Sequence, residues 1–162
     1  MMGLTLAIKI SNSLNQFIDT NVVLRYANGE ASAELQDVEQ ILREAVGPNR
    51  KRQLWISSVL FAELRPSNFK PGAFASLDEL SKYIRSFADV VSPDPPTMMR
   101  AARLRDLRWQ RKNKAETEKP RTITLGDAIH LASALWVKEA LKVADLEFLT
   151  FDNGRSSTDE TE

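Results

Sequence analysis

Apolar residues fall into two alternating kinds of run along this chain. The short kind covers Asn15 to Asp19, Gln53 to Ser57, Ala88 to Ser92 and Leu146 to Phe151, and reads as four strands. The periodic kind reads as helices. From Ala31 to Val46, the residues Ala31, Leu35, Val38, Ile41, Leu42 and Ala45 recur at three- and four-residue steps, until Gly47-Pro48 closes the run. Thr20 to Ala27 and Ser58 to Arg65 follow the first two strands, and Pro66 stops the second of these helices. Ser76-Leu77-Asp78-Glu79 is a capping box opening a helix to about Phe87. Asp94-Pro95-Pro96 starts another, expected to run to about Lys114, and Thr124-Leu125-Gly126-Asp127 opens an apolar helix to about Ala140. Strands alternating with helices predict an α/β domain: one parallel sheet of about four strands with helices on both faces. Leu4 to Ile10 also alternates and predicts an extra N-terminal edge strand.

A chain of 162 residues is the size of one domain and can bury about 70% of its unfolded surface. Residues 1–14 read as an extension, 15–153 as the domain, and 154–162 as a polar tail without fixed structure. The chain has no cysteine, which excludes disulfides, zinc ribbons and thiol nucleophiles, and its lone histidine, His130, excludes two-His metal motifs. No run approaches a membrane span, and Met1 to Ile10 lacks a basic start, so the expected setting is cytoplasmic. The 22 Lys and Arg balance 22 Asp and Glu, but unevenly. Arg100 to Arg121 carries nine cations against three acids, and Asp145 to Glu162 six acids against one arginine. Arg100, Arg103 and Arg111 share a helical stripe with Arg108 nearby, suited to RNA phosphates or a partner, or simply a solvated face.

Parallel sheets bind ligands beyond the carboxyl ends of their strands. Asp19 ends the first strand and Asp152 the fourth; Glu63 lies in the helix after the second, and Asp127 in the first turn of the last long helix. The four reach one cleft if the first strand is central, flanked by the second and fourth, which predicts strand order 3-2-1-4. Singly, each has a plain structural reading: Asp19 as a helix cap, Asp152 as a turn residue, Asp127 as part of a capping box. Glu63 is set apart by its neighbours Val59, Leu60, Phe61, Ala62 and Leu64, which predict a carboxylate in a mostly buried groove. Four converging carboxylates stay ionised only beside a positive charge. No lysine lies in these segments, and oxygen-only ligands favour Mg²⁺ or Mn²⁺ over zinc.

Phe17-Ile18-Asp19-Thr20-Asn21-Val22, Ile56 to Leu64, Leu125 to Ala134 and Leu149-Thr150-Phe151-Asp152, in this order and spacing, resemble the PIN-domain family. The closest group is the VapC-like toxins of toxin–antitoxin pairs. The resemblance implies an endoribonuclease for single-stranded RNA, dependent on Mg²⁺ or Mn²⁺, usually homodimeric and held inactive by a cognate antitoxin. By position, Asp19, Glu63, Asp127 and Asp152 match the family's acidic quartet. Thr20 or Asn21, with Thr150, match polar positions that orient ligands or water. Asp19 and Asp127 are expected as central ligands, Glu63 as a ligand or water activator, and Asp152 as acting through water. The family usually continues past the fourth acid into a short strand. Gly154 to Glu162 is polar instead, so the Leu4–Ile10 segment is expected to take that edge.

His130, one helical turn after Asp127, reads as a hydrogen-bonded helix residue packed beneath the site more readily than as a general acid. Trp136 reads as core, and Trp109 as core rather than a base-stacking platform. A haloacid-dehalogenase-type phosphatase needs an acid where Asn21 stands, and a receiver domain needs an early acidic pair with a late lysine. The remaining rival is a catalytically silent PIN-like module that binds RNA or protein.

Overall fold

In the computed structural model, residues 5–7, 13–29, 33–108 and 122–151 are described. Five parallel strands form one sheet: β1 (Thr5–Ala7), β2 (Asn15–Ile18), β3 (Gln53–Ser57), β4 (Asp89–Val91) and β5 (Glu147–Leu149), in spatial order β1-β5-β2-β3-β4. The four strands expected from the apolar runs therefore stand in the order 3-2-1-4. The N-terminal segment supplies the extra edge strand, with Leu6 opposite Phe148.

The helices are α1 (Thr20–Ala27), α2 (Ala33–Glu44), α3 (Val59–Glu63), α4 (Leu77–Arg85), α5 (Pro95–Asp106) and α6 (Leu125–Ala140). Side chains alternate across the sheet, so each strand feeds two cores. Phe17 lies opposite Trp55 on one side and Phe148 on the other, and these rings face α6 together with Ala134, Val137 and Leu146. Ile18, Leu54, Ile56 and Leu149 point the other way and pack against Val22, Val38, Ile41, Leu80 and Ile84 of α1, α2 and α4. Each fully buried side chain of this size contributes roughly 1.5–3 kcal/mol. Small residues let α5 settle on α6, where Ala101 meets Ala128 and Ala132.

Helix α5 ends at Asp106, not near Lys114, and Leu107 turns to extended backbone at ψ 137°. Thr97, Ala101 and Leu104 form its inward stripe, and the next position on that stripe is the exposed Arg108, which has nothing apolar to bury. Arg108 thus lies beyond the helix rather than beside its stripe. The expected positions of Trp109, Arg111, Asp152 and the 154–162 tail lie outside the described residues. Among the described residues no helix is long and apolar enough to cross a membrane.

The chain runs from β2 to β3 and β4 on one side, then crosses to β5 on the other side of β2. That reversal opens a crevice between the carboxyl ends of β2 and β5. The Asp19 N–H still donates to Leu149 O at 3.0 Å, so Asp19 and Thr150 leave the sheet side by side.

Candidate active site

Asp19 follows β2 in extended conformation and caps α1. Its Oδ1 accepts from the Thr20 N–H at 2.8 Å and its Oδ2 from Thr150 Oγ1 at 2.8 Å. Asn21, on the first turn of α1, braces the opposite strand end. Its Oδ1 accepts from the Phe151 N–H at 3.2 Å, and its Nδ2 approaches Thr150 Oγ1 at 3.4 Å. Asp19 is only 5% exposed. Burial pushes its carboxyl above the usual range, against the attraction of His130 and the hydrogen bonds from Thr150 and Thr20. Among the described residues, neither lysine nor arginine acts on it.

Glu63 closes α3, and its Oε1 receives Thr20 Oγ1–H at 2.6 Å. His130 Nε2 lies 2.6 Å from that same oxygen, 2.8 Å from Thr20 Oγ1 and 3.8 Å from Asp19 Oδ1. Burial raises the Glu63 carboxyl, but hydrogen bonds from His130 and Thr20 outweigh it and hold the group below its ordinary value. The side chain remains 34% exposed, more open than the expected buried groove. The reason is that α3 is a single short turn followed by Leu64 in extended backbone, so its last residue stands at the rim.

Asp127 lies in the first turn of α6, where its N–H donates to the capping Thr124 Oγ1 at 3.2 Å. The preceding residue, Gly126, approaches Glu63 so closely that a β-carbon there would overlap Oε2 and stand 3.1 Å from the carboxyl carbon. The fold thus brings Asp19, Thr20, Glu63, His130 and Thr150 together and carries the Asp127 turn to the same wall. Asp152 follows the braced Phe151 but lies outside the described residues.

Among the described residues, no three His, Cys, Asp or Glu side chains are spaced as a ready metal cage, since Glu63 Oε1 is turned onto His130 and Thr20. The donor chemistry nonetheless fits a hard divalent cation. Hard oxygen donors converge, and a buried carboxylate raised by desolvation carries no ammonium or guanidinium partner among the described residues.

His130 is fully buried, as expected for a packed residue, yet its Nε2 belongs to the site. The signal was its one-turn spacing from Asp127. Gly126 was passed over as part of a helix start. On the cationic stripe, Arg100 is engaged by Glu139 through two bonds of 2.8 and 3.0 Å, while Arg103 and Arg108 are exposed. Trp136 is half-buried against the α6-side core.

The family profile described as PIN domain matches residues 17–160. No curated protein and no solved structure matches the chain.

Proposed function

This chain belongs to the PIN-domain family, whose members are typically metal-dependent nucleases, and from that premise we propose that it is an endoribonuclease cleaving single-stranded RNA with Mg²⁺ or Mn²⁺. The observation that carries the reading is Asp19: buried at the β2–β5 crevice, raised by burial despite the nearby His130, and with no lysine or arginine acting on it among the described residues. When bound, the ion supplies charge to the phosphate and makes water easier to deprotonate. Asp19 and Asp127 hold it, with Asp152 acting through water. Thr150 and Asn21 keep Asp19 aimed by tying the end of β5 to α1. Glu63 contributes a ligand oxygen or orients the attacking water.

The finer assignment is a VapC-like toxin that acts in the cytoplasm as a homodimer and is restrained by an antitoxin. It rests on the likeness of the four segments around Asp19, Glu63, Asp127 and Asp152, and a small neighbouring upstream gene would support it. Residues 15–153 form the proposed nuclease unit, residues 1–14 an extension that completes the sheet through β1, and 154–162 a tail. Arg103 and Arg108 are the proposed RNA or partner contacts, with Arg111 beside them in sequence.

A defined set of RNAs incubated with Mg²⁺, Mn²⁺ or EDTA tests the reading. Cleavage with either ion, leaving 5′-phosphate and 3′-hydroxyl ends and lost in Asp19→Asn, is expected. Undiminished cleavage by that variant refutes the assignment. The grip of His130 and Thr20 on Glu63 Oε1 favours one second reading, a silent RNA-binding module. RNA binding without cleavage under either ion would establish it.

A further inference from the structure

Glu63 is held by both of its oxygens in different ways. Thr20 Oγ1 and His130 Nε2 both reach Oε1 at 2.6 Å, while Oε2 lies against the Gly126 α-carbon. His130 is wholly buried, and its Nδ1 meets no hydrogen-bond partner among the described residues. A proton on Nδ1 would be a buried donor without an acceptor, and Nε2 without a proton would set a lone pair against a carboxylate. Both penalties vanish when Nε2 carries the proton and donates to Oε1.

Gly126 explains the other half. Its backbone is not left-handed, so its conformation does not require glycine. What it provides is space, because any β-carbon would occupy the position of Oε2.

We propose that His130 and Gly126 are positioning residues. His130 ties up Oε1, and Gly126 lets Oε2 lie at the N-terminal turn of α6, so that Glu63 offers Oε2 beside Asp127 as its ligand oxygen. The inference rests on the metal-dependent nuclease reading above. It differs in placing part of the site's geometry on residues that touch neither ion nor RNA. Outer partners of this kind typically change metal affinity 10- to 100-fold.

Two measurements test it on the full chain. Because His130 is the sole histidine, long-range ¹H–¹⁵N NMR of the metal-free protein reads its tautomer without ambiguity. The expected form carries its proton on Nε2, and a proton on Nδ1 alone overturns the proposal. Mn²⁺ binding followed by electron paramagnetic resonance is the second. Gly126→Ala should weaken binding about 10-fold or more while the metal-free melting temperature changes little, since the group it displaces is the far end of a partly exposed side chain. A merely structural glycine would move both together. His130→Leu should weaken binding similarly, and His130→Gln, whose amide N–H can reach Oε1, should restore most of it. If the wild type binds Mn²⁺ and Gly126→Ala binds it equally well, positioning fails and the nuclease reading stands. If the wild type binds no Mn²⁺, both fall.

Discussion

Replacing Asp19 by asparagine should make the metal-free protein more stable. Asp19 and Glu63 both approach His130 Nε2, at 3.8 and 2.6 Å. Burial is the largest penalty on the Asp19 charge and the Glu63 repulsion a smaller one, and removing the charge relieves both by about 1–2 kcal/mol. Loss of a negative charge at the start of α1 opposes it by about 0.3–1 kcal/mol. Asparagine keeps the oxygen that accepts from Thr20, and its amide can donate to Thr150 Oγ1. The net expectation is about 1 kcal/mol of stabilisation, or a melting temperature higher by about 2–4 °C for a chain of this length. The pH dependence has a definite sign. The Asp19 carboxyl is raised above its ordinary 3.8, so its favourable contribution exists below that pH and is lost as pH climbs through the folded value. The variant's advantage is therefore full near neutrality and absent in strong acid. Calorimetry in EDTA and in Mn²⁺ checks this. At a hundred times the dissociation constant, the ion should add about 2.7 kcal/mol to the wild type and nothing to the variant. A variant that melts lower in EDTA, or still responds to Mn²⁺, would refute the reasoning.

Glu63→Gln should flatten the acid limb of the stability profile. The Glu63 carboxyl is held below its usual 4.5, so its contribution is present above that pH and fades as pH falls through the folded value, which urea titrations between pH 3 and 7 would read. Thr124→Ala removes the oxygen capping Asp127 N–H and should cost about 1 kcal/mol in urea unfolding. Leu54→Ala empties the fully buried centre of β3 and should cost about 2–5 kcal/mol by the same assay.

The sheet was legible because the strand segments combine short apolar runs with turn signals, and because the expected meeting of Asp19, Glu63, Asp127 and Asp152 in one cleft calls for β2 at the centre. The end of α5 was not. Its charged residues favour helix locally, and the helix stops where its inward stripe passes from Leu104 to the exposed Arg108. His130 was discounted because it sits in an otherwise apolar helix, where burial looks sufficient as an explanation. Gly126 was invisible because its constraint comes from Glu63, sixty-odd residues away, and no local pattern carries that contact. The pairing of Arg100 with Glu139 on the neighbouring helix is hidden from the sequence for the same reason.

The plain alternative for Asp19, that it is merely a helix cap, can be weighed against a second capping aspartate in the same chain. Asp94 caps α5 from an exposed position, accepting from the Thr97 N–H at 2.9 Å. Hydrogen bonding from Thr97 holds its carboxyl below the ordinary value, as expected where a charge is welcomed by a helix start. Asp19 has the same residue type at the same kind of position, yet its carboxyl is raised. Its Oδ1 reaches only the adjacent Thr20 N–H rather than the donors further into the turn that a cap usually satisfies. Capping alone calls for neither the burial of Asp19 nor the approach of Glu63, both of which oppose its charge. A carboxylate kept in that setting is suited to a cation, which removes both penalties at once, and the difference between the two aspartates is the physical ground for placing the ion at Asp19.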